Sequence, residues 1–319
     1  MKLLFILYIL VVLIFNSCPS FFEDDINPNL RIIDGFTLDN YPRVDGSTST
    51  EPLNTLIACK LLGIRYQWVK TPYGGPWRIE PIFRSNNNSS NFSQLIRSSQ
   101  THNSFINLIN GQADIILSAR KMSDDEKALA NTAGVGLIET PIALDAFIFI
   151  VHSNNPITNL TIGQIQNIYM GKINNWNEIG GNDRQINPYV RNPNSGSQEL
   201  MESLIMKDIR FMDFPVSPEV IFTMGGVFDI ISSDIDGICY TVYYYKEHIL
   251  RDTTAKSIAI NGIHPTNESI RNRLYPLVAE VYVVIRSDLE PSSMAYKLYE
   301  FLQTELGKEV IRESGYIPF

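Results

Sequence analysis

The sequence predicts an α/β fold, because patterns typical of helices and of strands alternate along nearly the whole chain. Short apolar runs such as 113–117 are typical of strands buried in a parallel sheet, and amphipathic stripes at helical spacing follow them. In four places a polar turn that carries hydroxyl groups joins a strand to a helix. Since ligands of such folds bind where strands end and helices begin, these turns form the candidate site. They lie at 46–50, 98–104, 118–120 and 191–197.

The chain begins with the pattern of a bacterial secretory signal. Lys2 precedes an apolar run over 3–15, which is shorter than the roughly 20 residues that a membrane-spanning helix needs. Cys18 stands where lipoprotein signals place the residue that becomes lipidated. We therefore expect a signal peptide over 1–17 and a lipidated N-terminus with a tether over 18–39. A simple secretory signal that is cut nearby is the alternative.

Composition limits the possible partners of the mature chain. About 300 residues remain after residue 17, which is enough for two domains of typical size. The formal net charge of the full chain is −8, which argues against binding to nucleic acid or to anionic surfaces. An anionic ligand would have to be held by local geometry. Cys59 and Cys239 either form one disulfide or remain two buried thiols.

The first half of the body is predicted from helix caps and apolar runs. Pro52 suits a first helical turn, Gly111 suits a helix end, and Ser123 with Glu126 forms a capping box. The predicted elements, in order, are a helix over 53–61, an irregular segment with one strand over 66–82, an exposed Asn/Ser loop over 86–93, a helix over 105–109, a strand over 113–117, a helix from 123, and strands over 135–138 and 143–151.

The second half follows the same pattern. Thr161 and Gln164 form another capping box, and the pair Gly180-Gly181 marks a turn. The predicted elements are a helix after 161, a strand over 186–190, a helix over 198–205, strands over 235–245 and 282–285, and a terminal helix over 295–306.

The turn at 191–197 has the properties of an oxyanion socket. Arg191 supplies a planar cation that binds oxyanions through two parallel hydrogen bonds. Ser195 or Ser197 can cap the following helix, and Gly196 lets a ligand approach the backbone closely. The alternative is an ordinary capped helix with an arginine at the surface.

The sequence contains none of the catalytic motifs that would indicate an enzyme. A serine nucleophile at 49 or 195 would need a base within hydrogen-bond reach, and the four histidines lie in no recognisable catalytic motif. Gly-x-Ser-x-Gly, His-Glu-x-x-His and metal-spaced Cys/His sets do not occur. We expect a binding protein with no catalytic residues, no metal and no cofactor.

Several motifs in consistent order resemble the phosphate-binding proteins of bacterial ABC uptake systems, which belong to the type II periplasmic solute-binding proteins. The resemblance covers most of 42–319. The signal and the pair Thr101-His102 resemble the Bacteroidota lipoprotein branch. The motifs are DGSTS at 45–49, NGQADI at 110–115, SAR at 118–120, LT at 160–161, GKINNW at 171–176, IGG at 179–181, and RNPNSGS at 191–197, which matches the family's Arg-x-x-x-Ser-Gly-Thr loop with Ser197 in place of threonine.

The resemblance implies a two-lobed, periplasmic-binding-protein-like (type II) α/β fold. Each lobe would hold a mixed, mainly parallel sheet flanked by helices, and a two-strand hinge would join them. Lobe 1 would comprise 40–145 plus 286–319, and lobe 2 would comprise 146–285 with the hinge crossovers. The implied protein is a monomeric lipoprotein of the cell envelope. It captures inorganic phosphate or a related oxyanion and delivers it to an ABC permease. A sensor or surface-binding lipoprotein for anions or phosphorylated ligands is the alternative.

The resemblance also implies a ligand set, part of which stays open. The best-known members place an aspartate near 118–120 that accepts a hydrogen bond from the proton of hydrogen phosphate. This chain has Ser-Ala-Arg there, so Asp145 or Asp45 would have to take that role. Arg120 would be a second cation or pair with Asp124 or Asp125 at the surface, and His102 would reach the ligand or pack in the core. The implied ligand residues are Ser47, Thr48, Ser49, Thr50, Thr101, His102, Ser118, Arg120, Asp145, Arg191, Ser195, Gly196 and Ser197.

Overall fold

The computed structural model describes residues 25–72, 75–207, 209–211 and 221–319. The predicted signal peptide, the lipidation residue Cys18 and the start of the predicted tether lie outside the described residues. The first described element is a 3-10 turn at Pro28–Leu30. Within the described part, no helix combines the length and apolar character that a membrane span requires.

Ten helices and twelve strands alternate along the described chain. The strands are β1 (Val44–Gly46), β2 (Tyr66–Lys70), β3 (Trp77–Pro81), β4 (Ile115–Ser118), β5 (Leu137–His152), β6 (Asn159–Leu160), β7 (Asn187–Pro188), β8 (Gly237–Val242), β9 (Ala255–Ser257), β10 (Ala259–Ile260), β11 (Val278–Arg286) and β12 (Ile317–Pro318). The helices are α1 (Glu51–Leu62), α2 (Asn86–Leu95), α3 (Thr101–Ile109), α4 (Asp124–Ala133), α5 (Ile162–Tyr169), α6 (Gly196–Leu200), α7 (Gly226–Ser233), α8 (Asn267–Arg271), α9 (Met294–Phe301) and α10 (Glu305–Glu313).

The long strand β5 organises the main sheet, whose strand order is β1-β4-β11-β5-β8-β7. Up to Ala146, β5 pairs with β11, and β12 also lies against this part. From Phe147 onward it pairs with β8 and β9. One strand therefore belongs to both halves of the molecule, and the change of partner falls between adjacent residues. The lobe boundaries themselves stay a prediction.

The α/β fold with a mixed sheet and flanking helices is confirmed, but the emphasis on parallel pairing is corrected. Only β1 with β4 and β7 with β8 are parallel among the described pairs of the main sheet. The others are antiparallel, because β5 and β11 run through the middle in opposite directions and β4, β8, β9 and β12 each pair antiparallel with one of them. Strand β11, which the predicted boundary placed largely with lobe 2, lies between β4 and the first part of β5.

The segment predicted as an exposed Asn/Ser loop is helix α2. Ser85 caps it by accepting a hydrogen bond from the N–H of Asn88 at 3.5 Å. The carboxylate of Asp25 also accepts hydrogen bonds from the N–H groups of Arg84 and Ser85 and from the side chain of Asn88. Phe92 is buried beneath it. Tertiary contacts thus override the weak helical propensity of asparagine and serine.

Four other predicted elements differ in extent. The strands predicted at 135–138 and 143–151 are one strand, since a register shift opposite Val281 and Tyr282 accommodates Pro141. Segment 66–82 contains the hairpin β2–β3 rather than one strand. The strand predicted to end at Tyr245 stops at Val242, and a π-helical turn follows at Tyr245–Leu250. The terminal helix is two helices, because Thr304 caps α10.

The core is centred on the second part of β5, where aromatic rings pack together. The rings of Phe147 and Phe149 lie 5.4 Å and 6.0 Å from that of Tyr240 in β8, and Tyr169 of α5 completes the cluster. Cys59 and Cys239 are both buried as free thiols, so they do not form the disulfide that the sequence left open.

Replacing Phe149 with alanine should lower the free energy of unfolding by about 3–5 kcal/mol, because the ring is fully buried and its removal leaves a cavity. Ile138→Ala in the same strand is the control. That side chain is 39% exposed, and a change of about 1 kcal/mol or less is expected. Urea unfolding of both variants provides the measurement. Equal destabilisation would contradict this placement of the core.

Candidate anion-binding site

A cavity of about 170 Å³ lies where the two parallel strand pairs end. It is smaller than the roughly 300–1,000 Å³ of pockets that hold drug-sized ligands, yet far larger than the roughly 10–15 Å³ that one water molecule needs. A small ion or metabolite fits this size. The lining residues are Ser47, Thr48, Ser49, Gln100, Thr101, Ala119, Arg191, Ser195, Gly196, Ser197, Leu200, Phe222, Thr223, Met224, Gly225, Val242 and Tyr245.

One wall is the turn between β1 and α1. The N–H of Ser47 donates to the carbonyl of Leu117 at 3.0 Å, and its hydroxyl accepts from the N–H of Ala119 at 2.9 Å. The same hydroxyl lies 2.8 Å from that of Thr101, the first residue of α3. Two helix starts and the end of β4 are thereby held together. Helix starts carry backbone N–H groups that lack an acceptor within the helix, and these favour anions.

The opposite wall contains Arg191, which follows β7. Its side chain is 5% exposed. The Nε atom donates to the carbonyl of Ile221 at 2.8 Å, and Nη2 lies 3.5 Å from the carbonyl of Phe222. The Nη1 atom is buried without a hydrogen-bond partner among the described residues. One edge of the guanidinium is therefore fixed by backbone carbonyls, and one nitrogen still requires an acceptor.

Burial lowers the pKa of Arg191, because the charged form is desolvated. An arginine nevertheless remains protonated in proteins, so the cavity contains a buried positive charge. Among the described residues, no carboxylate lies within ion-pair distance of Arg191. A buried charge is costly unless it is paired, and an anion in the cavity would supply the missing partner.

Helix α6 begins next to Arg191 and approaches the first wall closely. Ser195 caps it, since its Oγ accepts from the N–H of Gln198 at 3.1 Å. A Cβ atom added at Gly196 would lie 2.6 Å from the hydroxyl of Thr101. Only glycine allows this approach, so the sequence Ser-Gly-Ser serves a packing purpose as well as exposing the backbone.

Two predicted hydroxyl ligands are buried behind the cavity, not in it. The hydroxyl of Thr50 donates to the carbonyls of Ser47 at 2.9 Å and Leu117 at 3.0 Å. That of Ser118 donates to the carbonyl of Arg120 at 2.6 Å. Both side chains thus stabilise the turns that carry the lining residues. Their predicted place as ligands is corrected accordingly.

Arg120 and His102 also point elsewhere. Arg120 is 5% exposed, and two of its nitrogens lie 2.8 Å from the two carboxylate oxygens of Glu126, which is fully buried. His102 Nδ1 lies 3.0 Å from the same carboxylate. Arg120 is therefore neither a second ligand cation nor paired with Asp124 or Asp125, and His102 faces α4. Asp124, Asp125 and Glu126 lie in the same helical turn, so their spacing in the sequence does not show which of them pairs with Arg120.

Asp45 and Asp145, the two candidate acceptors for the proton of hydrogen phosphate, do not line the cavity. Asp45 accepts hydrogen bonds from the N–H groups of Gly46 and Ser99 and from the side chain of Asn107. Asp145 is fully enclosed near the point where β5 changes partner. Its Oδ1 accepts from the N–H groups of Ala146 and Tyr244, and its Oδ2 has no partner among the described residues. Burial raises the pKa of Asp145 to about 7.

Sequence reasoning missed part of the second wall. Thr223 and Gly225 line the cavity ahead of α7, and the hydroxyl of Thr223 accepts from the N–H of Gly226 at 3.0 Å. This is a fifth polar turn before an apolar helix, and its Thr-Met-Gly-Gly sequence was the available signal. Tyr245 contributes from the π-helical turn, and burial raises its pKa to about 12, with Arg191 acting in the opposite direction. Over the described ranges, no cluster of three or more His, Cys, Asp or Glu could hold a metal ion.

A family model described as a PBP superfamily domain matches residues 79–305. The chain belongs to this superfamily. Among curated PBP-type relatives, it is 26% identical over 253 residues to the phosphate-binding protein PstS of Borreliella burgdorferi, covering 76% of this chain and 88% of that protein. It is 25% identical over 233 residues to the phosphate-binding protein PstS of Pseudomonas aeruginosa PAO1, covering 66% and 69%.

Solved structures show the same PBP fold. An ABC-type phosphate transport receptor from Vibrio cholerae superposes with a TM-score of 0.61 at 22% identity, covering 89% of this chain and 99% of that one. PstS from Borrelia burgdorferi superposes with a TM-score of 0.51 at 22% identity, covering 86% and 97%. The superfamily therefore accounts for the two-lobed architecture around the cavity.

Asp145→Asn should stabilise the protein above neutral pH. An acid whose pKa is about 7 when folded and roughly 3.9 when unfolded keeps its proton longer in the native state. Stability therefore falls as pH rises from about 4 to about 7. The substitution should remove this slope and raise the free energy of unfolding at pH 8 by about 4 kcal/mol.

The measurement is urea unfolding across pH 4–8, and Asp39→Asn, at an exposed position, is the control. An unchanged pH slope in Asp145→Asn would show that the carboxyl does not titrate in this window.

Proposed function

We propose that the protein captures inorganic phosphate, or a closely related tetrahedral oxyanion, in the cavity between the two walls and delivers it to an ABC permease. The ligand set would be Ser47, Thr48, Ser49, Thr101, Arg191, Ser195, Gly196 and Ser197, together with Thr223 and Tyr245, which the sequence did not suggest. Thr50, Ser118, Arg120, His102 and Asp145 are left out, because their side chains are engaged or enclosed elsewhere.

The single observation that carries this proposal is the buried guanidinium of Arg191, whose Nη1 has no hydrogen-bond partner among the described residues. It lines a cavity whose other polar side chains are hydroxyl groups and the amide of Gln100, with several helix starts around it. Such groups donate hydrogen bonds to an oxyanion from several directions. The names of the curated relatives support phosphate as the anion.

The expected affinity follows from the number of donors. Hydrogen bonds to a charged group contribute roughly 1.5–3 kcal/mol each, and six of them, at roughly 9–18 kcal/mol in sum, exceed the roughly 8 kcal/mol of a micromolar complex. The excess free energy offsets the cost of immobilising the ligand and ordering the cavity walls. A micromolar or tighter dissociation constant is therefore expected.

Location and partners are inferred from the N-terminal pattern and the relatives. We infer that residues 1–17 direct export and that Cys18 carries a lipid, so the protein would act as a monomer at the cell envelope. A membrane-tethered receptor keeps its captured anion near the permease. The proposed role is binding and delivery, without catalysis.

Isothermal titration of the full chain in mild detergent with phosphate, sulfate, molybdate and a phosphorylated sugar tests the ligand. Heat with phosphate and a one-to-one stoichiometry are expected. The absence of heat with every anion, together with an unchanged melting temperature, would refute the proposal. Heat with the sugar phosphate alone would indicate that the ligand is a phosphorylated small molecule and not inorganic phosphate.

Arg191→Ala should weaken phosphate binding by at least about 30-fold, equivalent to about 2 kcal/mol, because the only arginine among the lining residues is removed. Arg184→Ala is the control, since that side chain is 56% exposed and pairs with Asp236. Titration calorimetry of both variants measures the difference. Wild-type affinity in Arg191→Ala would mean that the loop is purely structural.

A further inference from the structure

We propose that Gln198, whose side chain does not line the cavity, is a positioning residue for Arg191, so that anion capture depends on a ring of hydrogen bonds inside the 191–198 segment. This inference rests on the proposed function, because it concerns how the same cavity holds its anion. Gln198 lies within α6 and is 7% exposed. Its side chain points toward the backbone of Arg191 and the hydroxyl of Tyr240.

Three hydrogen bonds form the ring. The backbone N–H of Arg191 donates to Oε1 of Gln198 at 3.2 Å. The backbone N–H of Gln198 donates to Oγ of Ser195 at 3.1 Å, and the N–H of Ser195 donates to the carbonyl of Asn192 at 3.2 Å. The ring joins the cation of the site to the cap of α6. A change in one of them is therefore transmitted to the other.

Tyr240 fixes this ring to the core. Its hydroxyl donates to Oε1 of Gln198 and accepts from the N–H of Arg191 at 3.1 Å. Its ring packs in the aromatic cluster with Phe147 and Phe149. The Gln198 oxygen is thus the common acceptor of two donors, one from the ligand loop and one from β8.

The side chain of Arg191 depends on the placement of its backbone. From a fixed Cα, Nε reaches the carbonyl of Ile221, while Nη1 has no partner among the described residues. If the Gln198 oxygen is removed, the Tyr240 hydroxyl loses its acceptor and the Arg191 N–H keeps only one of its two. Buried donors without acceptors are costly, so both groups are expected to shift. Hydrogen bonds weaken steeply with misalignment, which reduces anion binding although no ligand contact has been deleted.

Gln198→Met tests the inference, because methionine keeps the approximate size of the side chain but offers no comparable acceptor. Phosphate affinity of the full chain should fall at least about tenfold. Gln166→Met is the matched control. Gln166 is a partly buried glutamine that donates to the carbonyl of Ile205 at 2.8 Å and makes no contact with Arg191. Its phosphate affinity should stay within about threefold of that of the wild type.

Gln198→Glu provides a readout that a merely structural role would not change. The Gln198 amide offers one acceptor and two donors, and its Nε2 donates to Oε1 of Glu202 at 2.7 Å. A protonated carboxyl keeps an acceptor and one donor, whereas an ionised carboxylate is repelled by Glu202 and competes with the anion for the positive charge of Arg191. The ratio of variant to wild-type dissociation constants should be at least about tenfold at pH 8 and within about threefold at pH 5. Phosphate itself changes protonation between these pH values, but this affects both proteins equally and therefore cancels in the ratio of dissociation constants.

The outcomes separate this inference from the proposed function. If the wild-type chain fails to bind phosphate, the proposed function falls. If the wild type binds and Gln198→Met binds equally well, only the positioning role is overturned. If urea unfolding shows that a smaller fraction of folded protein fully explains the weaker affinity of Gln198→Met, the positioning role is also overturned. If Gln198→Met does not fold, the pH comparison in Gln198→Glu decides, and a ratio that is equal at both pH values contradicts the role.

Discussion

The burial of one arginine to which the described residues offer no counter-charge is the constraint on which the site depends. Folding removes the guanidinium of Arg191 from water, and the protein supplies two carbonyls in return. These satisfy one edge only. A protein that optimised stability alone would place a carboxylate or an apolar side chain here. Keeping the charge while the described residues leave one nitrogen without an acceptor sacrifices stability, and an anion that completes the arrangement recovers it.

The sheet explains how this arrangement is assembled from distant parts of the chain. Two parallel strand pairs, β1 with β4 and β7 with β8, end on opposite sides of the cavity. The strand β5 joins the two halves by exchanging its partners at Ala146 and Phe147. Thr101 and Gly196 meet across the cavity, where a single added methyl group would collide. The two walls therefore come from the two parts of the sheet that β5 joins.

The sequence predicted those features that depend on local chemistry. The alternation of helices and strands, the caps at Ser123 and Thr161, and the placement of Arg191, Ser195 and Gly196 at one cavity all follow from neighbouring residues. Features that depend on distant partners were predicted less well. Helix α2 needs the carboxylate of Asp25, and the pairing of Arg120 with Glu126 depends on side-chain direction within one helical turn.

The same distinction applies to the ligand residues. Ser47 and Thr50 lie three residues apart in one hydroxyl-rich turn, yet only the hydroxyl of Ser47 joins the two helix starts, while that of Thr50 binds backbone carbonyls. Residue type alone does not distinguish them, because both are short hydroxyl side chains. Gln198 was read from the sequence only as part of the helix. Its contact with Tyr240, 42 positions away, becomes visible only when β8 is placed beside α6.

The most direct test of this account is the free energy of unfolding of the wild type and of Arg191→Met, each measured without phosphate and with phosphate at about 100 times the wild-type dissociation constant. Without phosphate, the variant should be as stable as the wild type within about 1 kcal/mol, because an incompletely paired buried charge has been removed. With phosphate, the wild type should gain about 2.7 kcal/mol and the variant far less. An equal gain in both proteins would contradict the central role of Arg191.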